Sequence, residues 1–469
     1  MKHSVRSTLV TLGLGTAMQR VLQLVTFLAI GRALGATRLG QFAEGQALAG
    51  LLAVLAGTGV RNVLARAIAQ RPEAAGTLLR AAVRARLLVG GTLLVPALGL
   101  AFATAAQPWF WTLCLLQVLP AAFDLKNLLD ASGRTGREVG IETATAALQL
   151  LLVAGWLASG GDDLVPLAAI ALGSRCLYAA GALRAIARLP RAAGPRPAGA
   201  LPRPSLAVSL GQTAHELMAT GDVWLVAQLF GQATAGLYAT AVRLAAAALV
   251  PSAQLARLLL PHLLRATAAG DPRRTLHTAL RSTAFATLPM LAGGAVVAAP
   301  LCGLCGAPFE AAAPALRLLL LAGCLQHLGW QCSHALFAAG RDVAYATGLL
   351  WPALLQALLL GAFAGFGDAA AAALAMLVAM TGYLAAGLWQ LRPALEGTGV
   401  ALWWSPLLAA AATAATTLLP GLWCTGRLAL VLQLAAGAGA FAAMLWHFEL
   451  RGRHRRFGDG LAAASGFRS

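Results

Sequence analysis

Three arginines of this sequence stand where an arginine is expensive. Arg20, Arg175 and Arg243 each fall inside a long apolar stretch. A charged side chain at the centre of a membrane-spanning helix costs about 2.5–3.5 kcal/mol on insertion scales, so it faces a cavity or a partner. Guanidinium is always charged and forks onto phosphate through two parallel hydrogen bonds. Around Arg20, the residues Thr16, Gln19, Gln23 and Thr26 recur at three- and four-residue spacing, on one helix face. A second stripe holds Gln212, His215, Glu216 and Asp222, a third Glu142, Thr145 and Gln149, a fourth Gln326, His327, Gln331 and His334. Read sharply, Arg20 and Arg243 face each other across a cavity and bind an anionic headgroup. Plainer readings stand beside this one. Arg20 pairs with Glu216 or Asp222, Arg175 snorkels to the interface, and Glu142 is a charge near a helix start. His327 and His334 lack a third ligand in the pattern, so hydrogen bonding between helices is preferred to a metal site. For Asp222 and Glu216, cavity function and structural pairing both remain open.

The elements that must position these groups follow from composition. Of 469 residues, 59% are hydrophobic and 11% charged; mean hydropathy is +0.73. A soluble chain carries about 25% charged residues, so a soluble enzyme is excluded. At roughly 33 residues per helix and connection, the chain holds about 14 spans. The pattern predicts an all-α polytopic membrane protein with helices at 8–30, 41–60, 86–106, 109–129, 139–159, 164–186, 206–230, 233–256, 277–300, 311–337, 343–365, 369–391, 402–420 and 427–448. Breaks fall at Gly160-Gly161-Asp162-Asp163, Gly365-Phe366-Gly367-Asp368 and Gly397-Thr398-Gly399. The predicted organisation is an N-terminal lobe (1–190), a Pro-rich linker (191–204), a C-terminal lobe (205–395), two further helices (396–450) and a basic tail (451–469). The apolar run after Met1 continues past Arg20 to Ile30, too long for a cleaved signal, and reads as a retained first helix. Most of the seven cysteines lie in apolar runs. Cys302-Gly-Leu-Cys305 has redox or metal spacing, but no second such pair accompanies it, and an outer loop is expected there.

The formal charge of +18 then becomes a topology map. With the N-terminus in the cytoplasm, the outer segments hold Arg32, Arg38, Arg317 and Arg427. Apart from Arg20, Arg175 and Arg243, the other basic residues fall on the inner side. With an even number of spans, the positive-inside rule therefore puts both termini in the cytoplasm. The excess charge marks orientation and implies no nucleic-acid partner.

Internal repetition supports two lobes. Gly35-Ala-Thr-Arg-Leu-Gly40-Gln-Phe42-Ala43 matches Gly231-Gln-Ala-Thr-Ala-Gly236-Leu-Tyr238-Ala239, and Ala131-Ser-Gly133-Arg134 matches Ala338-Ala-Gly340-Arg341. Six helices separate the members of each pair. The halves then share one orientation, related by an axis along the membrane normal. Two six-helix lobes around a central cavity, plus two C-terminal helices, are a transporter plan.

The same residues carry a family resemblance. Phe27-Leu-Ala-Ile-Gly-Arg32-Ala-Leu-Gly35 followed by Gly40-Gln-Phe42 resembles the first-loop pattern of bacterial oligosaccharide-lipid flippases. These belong to the multidrug, oligosaccharidyl-lipid and polysaccharide exporter superfamily, which also contains lipid II flippases. Gly221-Asp222-Val-Trp-Leu-Val, Phe230-Gly231 and Gly236-Leu-Tyr238-Ala-Thr-Ala-Val-Arg243-Leu resemble its seventh and eighth helices, Pro261-His-Leu-Leu its eighth-helix exit, and Ala338-Ala-Gly340-Arg341 a later turn. Gly31 departs from the alanine usual before its arginine.

The resemblance implies a non-enzymatic flippase that moves polyprenyl-diphosphate-linked oligosaccharide to the outer leaflet by alternating access, for surface polysaccharide such as lipopolysaccharide O-antigen. It implies that Arg20 and Arg243, with Gln19 and Gln23 on the Arg20 face, bind the diphosphate, and that Arg32 lies near the outer mouth. Asp222 and Glu216 would couple to a cation (a proton or sodium) or to lobe closure, with His215 and Arg175 as further coupling or cavity residues. The prenyl chain would stay in lipid along the last two helices. No cofactor or metal is implied; a glycan polymerase of the same pathway is a possible partner. A drug or cation antiporter would need an acidic lining without arginines. A membrane polymerase or ligase would need a sizeable outer loop, and Asp162-Asp163 reads as a solvated turn.

Overall fold

A computed structural model describes residues 2–57, 75–124, 135–187, 206–268, 272–395, 401–424 and 426–450. The linker 191–204, the basic tail, the Ala131–Arg134 half of the second repeat and the Gly397–Gly399 break lie outside them, as do Arg61, Arg66, Arg71 and Lys126. The side chains of Gln212 and Pro261 also lie outside.

The described elements are helical throughout. They comprise α1 (Lys2–Gly57), α2 (Ala75–Thr104), α3 (Pro108–Leu116), α4 (Val118–Ala121), α5 (Thr135–Ala158) and α6 (Leu164–Ala187) in the first half. The second half holds α7 (Leu206–Phe230), α8 (Gln232–Ala248), α9 (Val250–Ala268), α10 (Arg273–Val296), α11 (Ala298–Cys302), α12 (Ala313–Ala338), α13 (Asp342–Phe363), α14 (Ala369–Gln390) and α15 (Arg392–Leu395). Two last helices follow, α16 (Ala401–Trp423) and α17 (Gly426–Leu445). Nine described helices are long and apolar enough to cross a membrane, or eleven when the bent pairs α8–α9 (56°) and α10–α11 (82°) each count as one. α1 holds two spans, because it breaks at Gly35 with φ 75° and ψ 176°. With α7 and the short apolar α3–α4 pair, the total is about fourteen. Leu88, Val95, Leu100, Leu151, Leu358 and Leu422 are exposed on the outside, as suits a multi-pass membrane protein, whose solvent there is lipid.

The turn chemistry acts where the sequence placed it. Gly160 and Gly367 take positive φ (80° and 70°), a region that only glycine enters without strain. Asp368 then caps α14, accepting from the Ala371 amide at 2.6 Å. The connection around Cys302-Gly-Leu-Cys305, expected as an outer loop, is compact: both cysteines are buried, in α11 and the tight turn after it. Cys305 packs on Gly31, where an added Cβ would sit 3.2 Å from its sulfur and 3.0 Å from Leu39. An alanine at position 31 would require both neighbours to give by a few tenths of an ångström.

Two helices organise the rest. α1 packs against α5, α7 and α8; α7 packs along α13 and α12 along α14. α16 lies on α10, and α17 lies chiefly on α16. The two repeat glycines adopt the same conformation, Gly231 (φ 87°, ψ 168°) matching Gly35. One turn further on, Gly40 and Gly236 touch. A Cβ on Gly40 would collide with the Gln232 carbonyl, and one on Gly236 with the Ala36 carbonyl. Backbone meets backbone there, and only glycine permits it. Beside the crossing, the buried Glu44 accepts from Gln228 Nε2 (2.5 Å) at the end of α7 and from Gln232 Nε2 (2.6 Å) at the start of α8.

Gly40→Ala and Gly236→Ala should each destabilise this crossing by about 1–3 kcal/mol, the usual cost of overpacking. The double variant should cost less than the sum, because both substitutions open the same contact. Thermal melts of the purified chain in detergent measure both effects.

Candidate functional site

A cavity of ≈ 330 Å³ opens among the helices of the first half. The first span of α1 contributes Gln19, Arg20, Gln23, Thr26 and Phe27, and its second span Phe42 and Gln46. α5 contributes Glu142, Thr145 and Gln149, α6 contributes Ser174, Arg175 and Tyr178, and Asp124 follows α4. One residue comes from the second half, Arg243 of α8. The expected face-to-face pair therefore takes a different form. The wall belongs to the first half, and α8 delivers Arg243 into it.

Three guanidinium groups share this space. Arg243 stands 5.5 Å over the Phe27 ring, a cation–π contact. Arg20 and Arg175 lie within electrostatic reach of it. Arg175 does not snorkel away; its Nε donates to Gln117 Oε1 at 2.9 Å, and Asp124 lies within electrostatic reach. The buried Gln117, at the end of α3, thus holds Arg175 into the cavity. Like charges gathered in one cavity repel, and a polyanion relieves that repulsion while taking charge-assisted hydrogen bonds. Neutral amides and hydroxyls (Gln19, Gln23, Gln46, Thr145, Gln149) complete a wall suited to a polyhydroxylated group.

The other sequence candidates lie elsewhere. Arg32 is exposed near the Gly35 break and does not line the cavity. Asp222 is buried beside α8, accepting from Tyr238 Oη at 2.9 Å and from the Val223 amide at 2.7 Å. His215 accepts from Trp330 Nε1 at 3.0 Å, and Glu216 is half-buried one residue on; neither borders the cavity. His327 bonds its own helix, Nδ1 to the Gly323 carbonyl at 2.7 Å, where a partner on another helix was expected. Asp162 pairs with Arg38 at 3.6 Å, and Asp163 accepts from the Val165 amide at 3.1 Å, so both serve the turn. Glu142, read as a simple interface charge, stands on the cavity wall. Sequence reasoning missed Gln46, Tyr178, Asp124, Gln117 and Glu44. Tyr178 lies one turn from Arg175 on the same face, a usable signal. Gln117 and Glu44 matter through contacts distant in sequence, which no local spacing reveals.

Comparison with known proteins concerns the whole fold. Residues 150–306 match the family model of a polysaccharide biosynthesis protein. No curated relative matches the chain by sequence. The lipid II flippase MurJ in an inward closed conformation is similar over 94% of this chain and 98% of its own, with TM-score 0.68 and 12% identity. An inward-facing multidrug resistance MATE family transporter of the MOP superfamily is similar over 81% of this chain and 96% of its own (TM-score 0.63, 16% identity). An outward-facing one covers 83% of this chain and 95% of its own (TM-score 0.58, 14% identity). The chain has the fold of this flippase and exporter superfamily, the one its first-loop and seventh- and eighth-helix motifs resemble.

Gln117→Leu should lower stability by about 0.5–1.5 kcal/mol, because Arg175 then loses the acceptor that orients it on the cavity wall. Gln117→Glu, which keeps an acceptor, should recover most of the loss. Chemical or thermal unfolding of the purified variants measures the difference.

Proposed function

We propose that this chain is a flippase for a polyprenyl-diphosphate-linked oligosaccharide, moved between leaflets by two lobes rocking about the cavity. The observation that carries this reading is the convergence of Arg20, Arg175 and Arg243, from α1, α6 and α8, on one cavity. A diphosphate offers oxygens for several forked contacts, and the amide and hydroxyl wall suits the attached sugar. Gln19 and Gln23 stand beside Arg20 and complete the headgroup site. Arg32 meets cargo only at the mouth. Orientation follows the positive-inside reading, with both termini on the cytoplasmic side of a bacterial inner membrane. In this reading the cavity opens on that side and the Gly40–Gly236 crossing closes the other. The prenyl chain stays in lipid, along α16 and α17. A glycan polymerase of the same pathway takes the product. In this scheme Asp222 acts on lobe closure, through the α7–α8 bond to Tyr238, and Glu216 couples to a cation.

A drug or cation antiporter is the second reading, favoured by Glu142 and Asp124 on the wall. Three arginines in the same cavity oppose a cationic cargo.

Loss of one charge-assisted contact costs about 1.5–3 kcal/mol, which corresponds to roughly 10- to 150-fold in affinity. Arg20→Ala and Arg243→Ala should weaken binding of a polyprenyl-diphosphate monosaccharide by that factor, measured by native mass spectrometry of the purified chain. The corresponding lysine variants should be intermediate, because a point charge lacks the fork. Unchanged affinity in both alanine variants refutes the diphosphate site. Tight binding of a cationic drug that these substitutions strengthen would favour the antiporter.

A further inference from the structure

A groove of ≈ 540 Å³ lies where α12 turns into α13 and α14 ends, and it shares no residue with the arginine cavity. Its lining includes Arg341, Asp342, Val343, Thr347 and Gln390. Gly340 (φ 68°) makes the turn, and the Arg341 amide donates back to the Leu336 carbonyl at 3.0 Å, a left-handed helix cap. Arg341 is thereby left exposed at the rim, where its Nη1 donates to the Gln390 carbonyl of α14 at 3.1 Å. Just beyond Gln390, the Arg392 guanidinium stands 5.1 Å over the ring of Trp389, which is 71% exposed. Among the described residues neither Arg341 nor Arg392 pairs with a carboxylate. Asp342 is the one acid on the groove wall. Gln390 Oε1 is buried and has no hydrogen-bond partner.

The groove opens onto an apolar stripe. Val343, Thr347, Leu350, Trp351, Leu354 and Leu358 are exposed and recur at three- and four-residue spacing, on one face of α13. From Val343 to Leu358 the stripe runs about 22 Å. Half of a bilayer's hydrocarbon core is about 15 Å deep, so the stripe is long enough for an acyl chain of one leaflet. An exposed tryptophan at a helix end belongs at the membrane surface, which sets Trp389, Arg341 and Arg392 at headgroup level.

We propose that this groove binds an anionic phospholipid with a hydroxylated headgroup, of the phosphatidylglycerol type. Its phosphodiester accepts forked hydrogen bonds from Arg341 and Arg392, as acidic headgroups do in basic pockets between spans. A headgroup hydroxyl donates to Gln390 Oε1, the acceptor left without a partner. The acyl chains lie along the α13 stripe. Phosphatidylcholine has the same phosphodiester, but its trimethylammonium is repelled by the arginines and it has no hydroxyl to donate. Inorganic phosphate has the charge without the chains. The bound headgroup bridges the start of α13 and the end of α14, where Arg341 and Gln390 already touch. The site lies apart from the cargo cavity and does not depend on the diphosphate reading.

Native mass spectrometry of the purified full chain tests this with phosphatidylglycerol, phosphatidylcholine and inorganic phosphate. The wild-type chain should retain phosphatidylglycerol at concentrations where phosphatidylcholine is lost. Arg341→Gln combined with Arg392→Gln should weaken phosphatidylglycerol binding roughly tenfold or more. The paired lysine substitutions keep the charge and should lose less. Arg427→Gln, at the exposed start of α17, should change nothing. Fluorescence in phosphatidylcholine liposomes places the lipid. A small fraction of phosphatidylglycerol brominated in mid-chain should quench an emission component that Trp351→Phe removes, and the double glutamine variant should abolish that quenching. Equal retention of the two lipids by the wild-type chain overturns the proposal. So does unchanged affinity in the double glutamine variant, or Trp351 quenching that survives it. Displacement of the lipid by inorganic phosphate overturns it too, because the site is then one for a free anion.

Discussion

The crossing of α1 and α8 at Gly40 and Gly236 sets the geometry on which the remaining helices depend. A helix pair can bring backbones this close only where both partners lack a Cβ, and here each glycine faces a carbonyl of the other segment. The second span of α1 reaches that contact because Gly35 breaks the helix with a positive φ, and α8 reaches it because Gly231 does the same. Arg243 lies seven residues beyond Gly236, about 10 Å along α8. Its arrival in a cavity otherwise built from the first half is a consequence of where α8 is docked. Glu44 and its two glutamines tie the ends of α7 and α8 to the same place.

Docking α8 there concentrates positive charge, and the neighbouring residues manage it. Arg243 spreads over Phe27, Arg175 is held by Gln117, and Arg20 stands among Gln19, Gln23 and Thr26. Neutral donors and acceptors outnumber carboxylates on the wall. Carboxylates are present too, Glu142 and Asp124, so the wall carries both signs of charge with the positive one in excess.

Legibility in the sequence followed the range of the signal. The α7 boundaries, the Gly35 and Gly231 breaks and the Asp368 cap depend on local periodicity and turn chemistry, and were readable residue by residue. Arg20 and Arg243 were readable because charge within an apolar run is costly wherever the helix packs. Glu44 and Gln117 were not, since a lone polar residue says nothing about partners over 50 positions away in the chain. Asp222 shows the intermediate case. Its expense was evident, but whether it faced a cavity or a tyrosine depended on the packing of α7 against α8.

The two halves also show how a duplicated scaffold diverges. Thr26 and Phe42 both border the cavity in the first half. Their counterparts at the repeat offset are Asp222 and Tyr238, which bond each other and are buried. One added carboxylate and one added hydroxyl turn an open wall into a closed joint between α7 and α8. The same topology thus yields one half with an open, arginine-lined wall and another in which the corresponding pair of polar groups is turned on itself. In the proposed rocking cycle the buried Asp222–Tyr238 joint would act as a rigid lever between α7 and α8, and the open wall would hold the cargo.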